Sequence, residues 1–258
     1  MFSRIISAYR GLRVGVQYWN DPFLKEGIQK TACEFAKRPG RTEVLNYLLS
    51  ASQRRGKVAK TRYLEIGVRN PADNFNGVQA SEKYGVDPGV EYKQNPVAFP
   101  MTSDLFFEGL ETGKHLSPDY KFNVIFVDGL HLAGQVDRDV SNAFKYLHDE
   151  GFVVLHDCNP PTEWHARESF EYPFTPARTH WNGTTWKAFV KWRSEPSVKS
   201  CCIDTDWGLG VLTKAFDIGE PVPPRNPFFE FGELQRDRKR SLNLVDFERF
   251  RQSIEFTL

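Results

Sequence analysis

The chain has 258 residues, 40% of them hydrophobic and 26% charged, enough for one large α/β domain with appendages and well beyond the size that needs disulfide or metal staples. Its 34 Lys and Arg against 33 Asp and Glu leave a formal charge of +1, which argues against a nucleic-acid binder with its usual basic excess. No apolar run approaches the roughly 18 residues of a membrane span, and the stretch Met1 to Arg10 has too little apolar length for a signal peptide. The expectation is a soluble, cytoplasmic protein with neither nucleic acid nor membrane as partner. Cys33, Cys158, Cys201 and Cys202 show no C-x-x-C spacing, so they read as structural thiols in a reducing compartment.

The first sixty residues read as helical. From Gly27 to Leu49 apolar residues recur at helical spacing, interrupted by Pro39-Gly40, with Thr42 placed as a cap for the second piece. A basic connector, Gln53 to Lys60, leads to short apolar runs that end in acidic residues. Tyr63-Leu-Glu-Ile-Gly-Val68 reads as a buried strand entering a turn, and Lys83-Tyr-Gly-Val-Asp87 as a second, stopped by Pro88-Gly89. A third strand is expected just before Thr102. Phe122-Asn-Val-Ile-Phe-Val-Asp128 and Phe152-Val-Val-Leu-His-Asp157 are the clearest strands, separated by a helical pattern from Gln135 to Leu147. Continuous apolar strands alternating with helices mean a parallel sheet with helical crossovers. Gly208-Leu-Gly-Val-Leu212 reads as the last strand, expected to be antiparallel. The Pro-rich tail reads as an extended wrap with a short amphipathic helix near Leu244 to Ile254.

In open α/β sheets ligands bind outside the carboxyl ends of the strands. Here those ends carry Glu65, Asp87, Asp128 and Asp157, which together favour one crevice. Gly67 gives the first turn a residue without a side chain, so that a ligand can approach the backbone. Asp87, about twenty positions on, is placed to accept hydrogen bonds from ribose hydroxyls, a logic shared by dinucleotides and S-adenosylmethionine. A pyrophosphate site calls for G-x-G-x-x-G, and the stretch Gly67 to Gly77 lacks it. A cofactor without phosphates fits better.

Tyr63-Leu-Glu-Ile-Gly-Val-Arg-Asn70, Gly85-Val-Asp-Pro88, Met101 to Phe107, Val124-Ile-Phe-Val-Asp-Gly-Leu-His131, Gly151 to Pro160 and Trp181 to Ala188 come in the order seen in class I S-adenosylmethionine-dependent methyltransferases. They resemble the small-molecule O-methyltransferase-like branch whose strands end in D-G-x-H and H-D. The resemblance covers about residues 60 to 212. It implies a Rossmann-like parallel-sheet fold with helices on both faces, and three parts: an N-terminal helical cap (1–60), a catalytic domain (61–213) and a C-terminal extension packed on it (214–258). It also implies that Glu65, Gly67 and Val68 border the methionine portion of the cofactor and that Asp87 and Pro88 hold its ribose. Thr102, Ser103 and Asp104 would lie at the adenine, and Asp128 beneath the sulfonium. The first loop departs from the family pattern by lacking its second and third glycines.

Methyl transfer needs orientation, exclusion of water and a base for the acceptor's proton. His131 is the first choice for that base because an unperturbed imidazole titrates near neutral pH. His156, beside Asp157, is the second. Asp128, Asp157 and Asn159 could offer oxygen ligands to Mg²⁺, but His156 stands where another carboxylate would be wanted, and a metal is not expected. The loop opened by Trp181 suits a sugar-like or phenolic hydroxyl acceptor, although Trp186 reads equally well as core. Residues 160–181 read as a lid or a plain surface loop. The function expected is methyl transfer from S-adenosylmethionine, giving S-adenosylhomocysteine, to a small-molecule hydroxyl, with a homodimer left open. The rival readings are an NAD- or nucleotide-sugar-dependent oxidoreductase, disfavoured by the missing glycines and the lack of a Tyr-x-x-x-Lys pair, and a non-catalytic cofactor-binding module.

Overall fold

A computed structural model describes residues 2–224 and 227–258. Three helices precede the sheet: α1 (Phe2–Asn20), α2 (Pro22–Ala36) and α3 (Arg41–Gly56). Asp21 caps α2 by accepting the N–H groups of Phe23 and Leu24, with Pro22 at the first helical position. The cap of α3 differs from expectation. Gly40 holds the capping position and its N–H donates to the Glu43 carboxylate at 3.1 Å, while the Thr42 hydroxyl donates to Asn74 Oδ1 at 2.7 Å. Thr42 lies one residue inside the helix, where its hydroxyl is free to tie α3 to the loop after the first strand.

The strands are β1 (Arg62–Ile66), β2 (Glu82–Val86), β3 (Phe122–Val127), β4 (Leu147–Leu155), β5 (Lys199–Ile203), β6 (Leu209–Thr213) and β7 (Leu244–Val245). They form one sheet in the order β2-β1-β3-β4-β6-β5-β7. β1 to β4 run parallel, and β6 is antiparallel to both of its neighbours, β4 and β5. The strand ending at Leu212 is thus antiparallel as expected, but it is not the last, since β7 follows and pairs parallel with β5. The strand expected before Thr102 reduces to a single bridge between Val86 and Phe99.

β3 explains the architecture. Phe122, Ile125 and Val127 join a core on one face, with α4 (Ser103–Glu111), α5 (Ala133–Lys145) and α6 (Thr185–Trp192), and Val124 and Phe126 join a second core on the other face. A strand apolar at nearly every position is what burial on both faces requires. The second core is covered by α3, through Val44, Leu45, Leu48 and Leu49, and by α9 (Phe247–Thr257), through Phe250 and Ile254. The C-terminal segment, which also holds α7 (Phe231–Arg236) and α8 (Arg238–Leu242), therefore closes back on the sheet. Cys158, Cys201 and Cys202 are buried free thiols and Cys33 is exposed.

The chain leaves β1 toward β2 on one side and returns to β3 on the other. This reversal opens a crevice at the carboxyl ends of β1 and β3, between the turns that begin at Gly67 and Asp128.

Candidate active site

Gly67 has φ of +83°, and a Cβ there would lie 2.2 Å from the Asp128 carbonyl oxygen and 2.3 Å from Gly129 Cα. Its lack of a side chain is demanded by the neighbouring turn of the protein itself, a reason different from the approach of a ligand inferred from the motif. Asp87 is fixed between the two first loops. Its Oδ2 accepts the Arg69 N–H at 2.7 Å and its Oδ1 accepts the Gly89 N–H at 2.6 Å, and each oxygen keeps a lone pair for a hydroxyl.

Glu65 is buried in a polar nest. Its Oε2 accepts from the Tyr63 hydroxyl at 2.6 Å and from Asn74 Nδ2 at 2.9 Å. Burial outweighs these bonds and pushes its pKa up to about 8. Val68 is buried and packs its side chain toward Gly85.

Asp128, His156, Asp206 and Arg41 form a closed ring of alternating charge. Arg41 Nη1 donates to Asp128 Oδ2 at 2.6 Å, and Asp128 Oδ1 lies 3.0 Å from His156 Nδ1. His156 Nε2 lies 3.2 Å from Asp206 Oδ1, and Asp206 Oδ2 accepts from Arg41 Nε at 3.0 Å and from its backbone N–H at 2.9 Å. Burial works against the charge of every member. It is outweighed at Asp128 by His156 and Arg41, which hold the carboxyl well below its usual range, and at His156 by Asp128 and Asp157, which raise the imidazole. Asp206 is lowered in the same way by His156 and Arg41.

His131 extends the ring toward solvent. Its Nδ1 lies 3.0 Å from Asp157 Oδ2 and its Nε2 lies 3.5 Å from Asp128 Oδ1, and its ring stacks on Trp181 with centroids 5.2 Å apart. Burial disfavours its charge, but Asp157 and Asp128 win and push its pKa up to about 10. The premise of an unperturbed imidazole is therefore corrected: between two carboxylates His131 is a cation at neutral pH. Asp157 has a left-handed φ of +62°, a backbone state that costs energy in a residue with a side chain. It accepts from Asn182 Nδ2, while Asn182 Oδ1 is buried with no partner among the described residues. Gly183, also left-handed, lets the loop press on His131, whose carbonyl accepts the Thr184 N–H at 2.7 Å. Trp186 is core, as its alternative reading had it, whereas Trp181 faces His131.

Two groups of expected residues are otherwise engaged. Thr102 caps α4, Ser103 Oγ accepts from Gln135 at 3.2 Å, and Asp104 pairs with Arg138 at 3.3 Å. Asn159 donates to Asp204 at 3.0 Å and accepts from Arg238 at 2.6 Å. It does not join the carboxylates, and the donors that do come together, within 4.8 Å of one another, are those of Asp128, His131 and Asp157. Asp128 Oδ2 is bonded by Arg41, and Oδ1 faces His156 and His131. With Arg41 on Oδ2, the arrangement disfavours a divalent metal at the set. Arg41, Asp206 and Asn182 were not anticipated from the motifs; the one sequence signal was the Pro39-Gly40-Arg41 break at the head of α3.

A twisted, mostly parallel sheet with one antiparallel strand, helices on both faces and an acidic crevice at its switch point defines a Rossmann-like fold of the methyltransferase class. Residues 35–158 match the family model described as a methyltransferase domain. Similar solved structures include a putative O-methyltransferase from Klebsiella pneumoniae (15% identity, TM-score 0.44, covering 75% of this chain and 89% of that one). Others are the O-methyltransferase from Bacillus cereus in complex with S-adenosylhomocysteine (14%, 0.38, 75% and 90%) and a Podospora anserina methyltransferase bound to the same product (17%, 0.40, 80% and 95%). No curated protein matches the chain.

Proposed function

We propose that this chain transfers a methyl group from S-adenosylmethionine to a hydroxyl oxygen of a small-molecule acceptor, sugar-like or phenolic. The observation that carries the reading is the carboxylate-imidazole cluster at the ends of β3 and β4, inside a segment that matches the methyltransferase family. The cofactor would supply an activated methyl and a good leaving group. Glu65, Gly67 and Val68 border its amino-acid end, Asp87 and Pro88 its ribose, and Thr102, Ser103 and Asp104 its base. Asp128 offers negative charge to a sulfonium.

His131 is the group that takes the acceptor's proton, with His156 held deeper in the ring. His131 can do so only as a neutral imidazole, and it loses its proton more readily when a further positive charge, that of the sulfonium, comes to face Asp128. Trp181 presents an aromatic face beside it. Residues 1–60 serve as a cap, 61–213 as the catalytic domain and 214–258 as a packing extension, with the cytoplasm as the site of action.

The experiment is incubation with labelled S-adenosylmethionine and a panel of glycosides and phenols, read by mass spectrometry. Transfer to oxygen in some member supports the reading. Label lost only to water, or retained throughout, speaks against a hydroxyl acceptor.

A further inference from the structure

Two acceptors face His131 Nδ1: Asp157 Oδ2 at 3.0 Å and the Trp181 carbonyl at 3.2 Å. Asp157 is held in turn by Asn182, the Trp181 ring stacks on the imidazole, and the Thr184 N–H donates to the His131 carbonyl. The imidazole thus takes its orientation from residues 181–184.

That stretch is clasped by residues 165–167. The His165 carbonyl accepts the N–H groups of both Asn182, at 2.9 Å, and Gly183, at 3.1 Å. The Arg167 carbonyl accepts from Trp181 Nε1 at 2.7 Å, and Arg167 Nη1 donates back to the His180 carbonyl at 2.8 Å. A clasp of loop on loop needs an anchor in the fold, because loops are otherwise the least fixed part of a domain. His165 supplies one. Its side chain is fully buried, its Nε2 lies 3.0 Å from the Thr31 hydroxyl of α2, and its Nδ1 lies 2.8 Å from the Thr162 hydroxyl. A neutral imidazole donates from one nitrogen and accepts at the other, and a hydroxyl can answer either. Burial, then His180 and Arg167, push the pKa of this ring down to about 4, so at neutral pH it is uncharged and both bonds stand.

We propose that His165 is a positioning residue for His131: held between Thr31 and Thr162, it fixes the 181–184 stretch that orients the imidazole and Asp157. The role of His131 as base rests on the function proposed above; its positioning is measurable without an acceptor.

The test is nuclear magnetic resonance of the full chain carrying ¹⁵N-histidine, reading how fast the His131 Nδ1 proton exchanges with solvent. Thr31→Val and Thr162→Val each remove one hydroxyl, whereas Thr31→Ser and Thr162→Ser keep it. Each Val variant should quicken the exchange roughly fivefold, the effect of one lost hydrogen bond, and each Ser variant should stay near the wild-type rate. Affinity for S-adenosylhomocysteine and exchange of the β3 amides should be unchanged in all four. Unchanged exchange in both Val variants, or equal quickening in the Ser pair, overturns the proposal. So does quickening that the β3 amides share, because His165 would then stabilise the whole fold rather than place one side chain. Quickening confined to the Val pair, without methylation of any acceptor, upholds the positioning and removes the reaction.

Discussion

Arg41 and Asp128, 87 positions apart in the chain, meet at 2.6 Å across the crevice. Arg41 stands at the head of α3, and the turn between β5 and β6 supplies Asp206, which grips it through both the side chain and the backbone N–H of Arg41. Asp128 is thereby charged, oriented and balanced before any ligand arrives. Removing the guanidinium leaves two mostly buried carboxylates short of a partner, so Arg41→Met should destabilise the fold by roughly 2–4 kcal/mol in urea denaturation. The same variant should gain a divalent-cation site, seen as Mn²⁺ binding by electron paramagnetic resonance, that Arg41→Lys and the wild type lack. A chelator should leave wild-type turnover intact.

Glu65 gives a pH signature. Its native pKa is raised to about 8 while an unfolded Glu titrates near 4.3, so between those values the native state holds a proton that the unfolded state releases. Stability from this group is full at low pH and is lost as pH rises toward 8. Glu65→Gln abolishes the dependence: relative to wild type, the variant should gain stability on going from about pH 5 to about pH 8. Parallel denaturation curves at both pH values would contradict the assignment.

His131→Ala should lower turnover by roughly a hundredfold or more while affinity for S-adenosylhomocysteine stays unchanged. Rapid-quench kinetics establish whether chemistry limits the rate. With chemistry limiting, an undiminished rate removes His131 from the role of base and passes it to His156.

Gly183 tests how the second loop positions that imidazole. A Cβ at this residue would lie 2.1 Å from the His131 carbonyl oxygen, on a backbone with φ of +60°. Gly183→Ala should therefore cost about 1–3 kcal/mol of stability and reduce turnover more than cofactor affinity. A fully active, fully stable variant would show that the Trp181–Thr184 loop does not set the position of His131.

The central strands were legible because β1, β3 and the second half of β4 are buried on both faces and apolar at most positions. β5 was not, because Lys199-Ser-Cys-Cys-Ile203 is short and its central residues are not strongly apolar. The acids at the strand ends were equally visible, since topology alone sends them to one crevice. Their charge partners were hidden. Arg41 looked like an ordinary residue after a Pro-Gly break and Asp206 like a plain turn, and only the tertiary fold reveals that the two face each other. Asn159 was placed with the carboxylates by proximity in sequence, but Asp204 and Arg238, distant in the chain, turn it elsewhere. The shift of His131 follows from the same distant geometry, because one of its two carboxylates is supplied by the next strand.

Calorimetric titration of the purified protein with S-adenosylhomocysteine, against NADH in a parallel cell, tests the central claim most directly. The account predicts saturable binding of the first and none of the second, with heat that depends on the ionisation enthalpy of the buffer near neutral pH as Glu65 adjusts its proton. Binding of NADH alone would contradict it and turn the crevice over to hydride transfer.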